Sequence, residues 1–184
     1  MPAETVANVH TIDRASALQP LNRDEFEAFY AQTAAALGSY ITHVSGNTAL
    51  ADDILQEAYI RLLNSAPVEE ARRRSYLFRT ATNLMLDHFR AQRRERSWLS
   101  SLWRRSAAAG CASPVTIDVQ RVFAMLSVRE RSLMWLAYVE GADHHEIART
   151  LGCGKTSVRV LLFRARRKME ALLRENNISV GDLR

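Results

Sequence analysis

Glycine and proline are scarce in this 184-residue chain, 7 and 4 respectively. Turn-rich sheet folds draw on both, so the shortage favours helices. Cysteine is nearly missing as well. Cys111 and Cys153 stand far apart, with no CxxC and no Cys/His spacing around them. That argues against a disulfide framework or a zinc site and suits a reducing cytosol. No apolar run approaches the length of a membrane span. The opening MPAETVANVHTIDRASALQP has no apolar core and does not read as a signal peptide. A soluble, cytoplasmic protein is expected.

Catalytic constellations are also lacking. HHEIAR begins like a zincin motif, but Arg149 stands where HExxH requires its second histidine. His145 and Glu146 therefore make no metalloprotease site. GCGKT resembles the end of a P-loop, yet Arg149 replaces the first glycine and no strand precedes it. Phosphate cradling needs that glycine-rich turn. No nucleophile–base pair shows elsewhere. No enzyme, no metal and no cofactor is expected.

What is present is helix-forming and segregated in charge. Hydrophobic residues make up 47% and charged residues 24%, a globular composition at a net charge of +5. Asp24, Glu25, Glu27, Asp52, Asp53, Glu57, Glu69 and Glu70 face a single basic residue, Arg61, in the first acidic stretch. From Arg72 to Arg96 the balance reverses to eight basic residues against Asp87 and Glu95. Lys155 to Arg174 holds seven basic residues and one acidic. This pattern suggests one acidic surface for a protein and two basic surfaces for nucleic acid.

Apolar spacing predicts a helix from about Arg23 to Thr42, striped by Phe26, Phe29, Tyr30, Leu37 and Ile41. Asn47 is placed to cap a second helix, TALADDILQEAYIRLL, with Pro67 as a later stop. A third runs from about Ser75 to Arg94, with Leu77, Ala81, Leu84 and His88 in one stripe and Phe78, Met85 and Phe89 beside it. Residues 1–20 read as a flexible tail and 21–96 as one domain. Residues 97–116, including SAAAGCASP, read as a flexible linker. Trp98, Leu99, Leu102 and Trp103 form a small apolar cluster there, fit either to cap a neighbouring domain or to meet a partner. A second helical domain spans 117–175, and 176–184 is a tail. The fold class is all-α, two small helical domains, the second containing a helix-turn-helix.

HHEIARTLGCGKTSVRVLLFRARRK has the spacing of that motif. Ile147, Leu151, Val158 and Leu161 fall at its core positions, Ala148 is small at the crossing, and Gly152 suits a positive φ. An ordinary helical hairpin would not need Ala and Gly at those points, nor a basic second helix. Lys155, Thr156, Ser157 and Arg159 begin the second helix, the end that enters the major groove. Arg164, Arg166, Arg167 and Lys168 lie further along, where phosphate contact or solvent is the expectation.

MLSVRERSLMWLAYVEGADHHEIARTLGCGKTSVRVLLFRARRKMEALL resembles the C-terminal promoter-binding domain of extracytoplasmic-function (ECF) sigma factors. DDILQEAYIRLL and RSYLFRTATNLMLDHFRAQRR resemble the two signature helices of their N-terminal domain. The iron-uptake type is the nearest branch. The resemblance implies a subunit that binds core RNA polymerase and directs it to promoter DNA. It implies an anti-sigma partner too, usually membrane-attached. Asp52, Asp53, Gln56, Glu57 and Arg61 share one helix face and are implied to dock on the polymerase largest subunit. On the third helix, Tyr76, Arg79, Asn83, Asp87, Arg90, Arg93 and Arg94 are implied to hold and open the −10 element. Cations there meet phosphate and Asn83 can read a base edge, while Tyr76, Phe78 and Phe89 offer stacking or core packing. Lys155, Thr156, Ser157, Arg159, Arg164, Arg166 and Arg167 are implied to bind the −35 element. Val160 departs from the family, which commonly places polar or basic residues at mid-helix.

Two other readings stay open on sequence alone. A conventional helix-turn-helix regulator would bind duplex DNA without polymerase. An adaptor would use its basic helices on acidic proteins. Co-purification with core polymerase separates the first from the sigma reading, and salt-sensitive promoter binding separates the second.

Overall fold

The computed structural model describes residues 21–65, 68–100, 114–176 and 178. Among them are seven helices: α1 (Arg23–Ser45), α2 (Thr48–Leu63), α3 (Glu70–Ser100), α4 (Pro114–Ala124), α5 (Val128–Tyr138), α6 (His144–Leu151) and α7 (Lys155–Glu175). No described residue is in a strand, as the shortage of glycine and proline implied. No helix among them is long and apolar enough to cross a membrane. The tail of residues 1–20, Pro67, Cys111 and the Leu102/Trp103 part of the apolar cluster lie outside the described residues.

Helix ends follow local chemistry. Asn22 caps α1 in a capping box with Glu25, and Gly46 closes it in the left-handed conformation. Asn47 caps α2 as expected, its side chain accepting from the Leu50 amide at 3.1 Å. The third helix is longer than apolar spacing indicated. It extends N-terminally to Glu70 and runs to Ser100, into the stretch read as linker. The following helix starts early, at Pro114, which is pre-set for a first helical position.

Helices α1, α2 and α3 pack together around Leu37, Tyr40, Ile41, Ile54, Tyr59 and Phe78. Tyr40 is fully buried, its ring 5.1 Å from that of Phe78. Its hydroxyl lies 2.7 Å from that of Thr82, which itself donates to the Phe78 carbonyl. His88 does not join the buried stripe. Met85 is the last fully buried residue described on α3, and His88 stands exposed while the adjacent Phe89 stays half-buried against the core.

The C-terminal helices close on Val122, Leu126, Leu133, Leu136, Ile147 and Val158. Ser127 and Asp143 form capping boxes with Glu130 and Glu146. Hydrogen bonds from the Glu146 and His145 amides hold the Asp143 carboxyl below the usual range. The helix-turn-helix core is shifted by one residue from the sequence reading. Leu162 is buried and Leu161 only half so. Val158, Leu162 and Ala165 keep the i, i+4, i+7 spacing, which leaves Leu161 at the edge of the buried side, about 100° from Leu162. Leu151 is also half-buried. Gly152 sits at φ 60°, as its place in the turn requires. A branched side chain there meets the left-handed penalty of roughly 1–2 kcal/mol. Gly152→Val is therefore expected to lower the melting temperature of the C-terminal domain by several degrees in calorimetry, and an unchanged transition would refute the strain.

The two halves also touch. Helix α3 packs against α6 and α5, and α1 against α5. Arg74 of α3 pairs with Glu140 just past α5. Glu140 accepts from Trp135 Nε1 at 3.1 Å, and the Trp135 ring stacks on His43 of α1 at 4.6 Å. Arg131 lies over the Phe89 ring at 5.6 Å. It is only 6% exposed, and its Nε has no hydrogen-bond partner. Burial lowers its pKa.

Candidate polymerase and nucleic-acid interfaces

The acidic strip of α2 stands on the surface. Asp52, Asp53 and Gln56 are exposed, because the apolar positions Ala51, Ile54, Ala58 and Leu62 turn the opposite side inward. Glu57 is half-buried and accepts from Arg61 Nε at 2.7 Å. Arg61 thus neutralises part of the strip instead of simply extending it. Asp52 and Gln56 also border a cavity of 420 Å³ whose apolar walls include Phe26, Tyr30, Tyr59 and Ile60. Nothing in the apolar spacing points to this hollow. Tyr30 belongs to the core stripe by spacing, yet it is exposed, its ring 4.8 Å from that of Tyr59.

On α3, Arg79, Asn83, Asp87, Arg90 and Arg94 recur every three or four residues, and all are exposed. Arg93 is exposed beside them and Tyr76 is half-buried. Asp87 pairs with Arg90 at 3.1 Å, so one cation of the face is already partly answered. Phe78 is buried at 2% exposure, which removes it as a stacking group. Phe89 is half-buried under Arg131. The Arg79 guanidinium reaches 3.9 Å from the point where a side chain on Gly152 would begin. The turn of the helix-turn-helix thus lies beside Arg79, which stays exposed.

On α7, Gly154 provides the N-cap without any side-chain cap bond. The first-turn amides are then open to an anion, and no carboxylate stands in that turn. Lys155, Thr156, Ser157 and Arg159 are exposed, as are Arg164, Arg166 and Arg167. Lys168 is different. Its ammonium donates to Glu130 of α5 at 2.8 Å and ties two helices together. Burial pushes the Glu130 carboxyl up, but the Lys168 and Ser127 hydrogen bonds outweigh it and hold the group below its ordinary value. Among the described residues no cluster of His, Cys, Asp and Glu is arranged to hold a metal ion.

Two basic faces and one acidic strip therefore stand on two helical units in a fixed order. Residues 29–95 match Sigma-70 region 2, and residues 116–169 match Sigma-70, region 4. The chain belongs to the sigma-70 family. Its relatives are of the ECF type. It is 31% identical over 136 residues to the "Probable ECF RNA polymerase sigma factor SigI" of Mycobacterium tuberculosis, covering 67% of this chain and 47% of that one. The chain thus spans about half the length of that curated relative. It is 28% identical over 162 residues to the ferric citrate uptake sigma factor FecI of Escherichia coli, covering 83% of this chain and 91% of the relative. Its fold is that of the sigma factor RpoE of Bartonella quintana, solved in complex with the anti-sigma factor NepR. The TM-score there is 0.65 at 20% identity, over 82% of this chain and 98% of the other. In this ECF sigma factor, α1 to α3 carry region 2 and α4 to α7 carry region 4.

Proposed function

We propose that this chain binds core RNA polymerase and makes it promoter-specific, recognising the −35 element with α7 and opening the −10 element with α3. The carrying observation is that one chain bears both regions in order, with the acidic strip on α2 and exposed cationic faces on α3 and α7. Charge complementarity between that strip and a basic polymerase surface would set orientation and on-rate. Cations on α3 and α7 would meet phosphate, while Asn83, Ser157 and Arg159 would approach base edges. The subunit then acts by positioning polymerase in the cytoplasm and performs no chemistry of its own. A conventional regulator is disfavoured, because it has no use for region 2. The similarity to FecI supports the iron-uptake type. The capture of RpoE with NepR supports an anti-sigma partner for this chain as well, one that the resemblance makes membrane-attached.

The test is in vitro transcription with core polymerase and genomic DNA, followed by mapping of start sites. Discrete start sites that require this chain support the proposal, and transcription unchanged by its addition overturns it. Within that assay, Asn83→Ala is expected to reduce open-complex formation several-fold more than closed-complex binding, read by permanganate footprinting. Equal opening at matched occupancy would remove Asn83 as a base reader.

A further inference from the structure

The outward face of α7 is not the cationic face that its composition suggests. Val158, Leu162 and Ala165 are buried and define the inward side. At about 100° per residue, the side directly opposite carries Thr156, Val160, Phe163 and Arg167, spaced i, i+4, i+7 and i+11. Arg159 lies toward one flank of that ridge, Ser157 and Arg164 toward the other. Val160 is 49% exposed and Phe163 56% exposed, and no described neighbour covers either. The centre of the face that would enter a major groove is therefore apolar over its second and third turns, with charge at its margins.

Burying apolar surface in that groove has few possible receivers. Of the four bases, only thymine presents an apolar group there, its C5-methyl. The edges of guanine, adenine and cytosine present donors and acceptors, which an aliphatic side chain would desolvate without replacing. Arginines at the margins are placed to reach the phosphates lining the groove. An apolar ridge between cationic flanks matches a run of sequence in which a methyl lies under the second turn.

We infer that Val160, continued by Phe163, is a specificity residue that reads a thymine methyl in the upstream promoter element. This rests on the proposal that α7 binds the −35 element. It shifts the centre of base reading from Arg159 to Val160 and makes Arg159 chiefly a flanking contact.

The experiment uses the full chain with core polymerase on a promoter mapped by the transcription assay. Each thymine of the upstream element, on either strand, is replaced singly by deoxyuridine, which removes the methyl and keeps every hydrogen-bonding group. At one position or more, affinity is expected to fall about four-fold, the usual worth of one buried methyl-sized group. Val160→Ala should bind the parent promoter correspondingly less well and lose that sensitivity to uracil. Because Val160 is exposed, the variant should keep the parent melting temperature, which calorimetry checks. Uracil without effect at every position overturns the inference while leaving promoter binding intact. So does a uracil effect that persists undiminished in Val160→Ala. If polymerase with this chain protects no upstream element at all, the −35 reading itself fails and the inference with it.

Discussion

Polymerase binding should fall ten-fold or more when Asp53 and Glu57 are both reversed to lysine. Both side chains lie on the outward face of α2, and the apolar residues of that helix point away from them. Reversal would set two cations against the basic surface they are proposed to meet, and like-charge juxtaposition across an interface costs several kcal/mol. The Glu57→Lys change would also set a cation beside Arg61, whose guanidinium now bonds Glu57. An exposed pair of that kind contributes at most about 1 kcal/mol, so the fold should survive. The measurement is a titration of core polymerase at two ionic strengths, with circular dichroism to confirm helix content. Screening should narrow the gap between parent and variant at high salt. Unchanged affinity at low salt would remove this strip from the docking surface.

The largest loss of stability is expected from Tyr40→Ala. The ring is wholly buried between α1 and α3 against Phe78. Truncating a large buried aromatic costs about 3–5 kcal/mol. In a domain of this size that lowers the melting temperature by more than about 10 °C. Tyr40→Phe separates ring from hydroxyl. It removes the hydroxyl with its 2.7 Å contact to Thr82 and should cost about 1 kcal/mol. Burial also pushes the Tyr40 phenol from 10.0 to about 12, against the pull of its hydrogen bonds. The unfolded chain then loses its proton first as pH rises. Stability from this group is complete below pH 10 and is lost as pH climbs through about 12. Tyr40→Phe should remove that alkaline component. Equal melting temperatures for the alanine and phenylalanine variants would show that the ring does not hold the domain together.

Much of the architecture was legible because short-range chemistry decides it. Asn47 as a cap, Gly152 at a positive φ and the burial of Leu37 and Ile41 on α1 follow from residue type and spacing, whereas Tyr30 of the same stripe is exposed. The misplacements arise where a neighbour decides. His88 has the right spacing for a core stripe, but at that level it is Phe89 that turns to a neighbour, Arg131 of α5. Leu161 and Leu162 are alike in chemistry, and the packing of α7 on α5 and α6 selects the second. Most of the proposed interface residues are exposed, as their helical spacing implies, while Glu57 and Tyr76 are half-buried. The pairings that alter their charge did not show in sequence. Arg74 with Glu140 joins residues far apart in the chain, and Lys168 reaches across to Glu130 of α5.

The contact between the two halves sets a thermodynamic condition on everything proposed above. The names of the two promoter elements place them about 25 base pairs apart, roughly 85 Å at 3.4 Å per pair. If α3 opens the −10 element while α7 binds the −35 element, the contacts of α3 with α5 and α6 cannot persist, so the Arg74–Glu140 pair and the His43–Trp135 stack would part first. If only a fraction of free molecules is parted, the apparent dissociation constant for polymerase on a promoter rises by the inverse of that fraction. Each 1.4 kcal/mol held in the closed contact then weakens apparent affinity about ten-fold without touching a single DNA or polymerase contact.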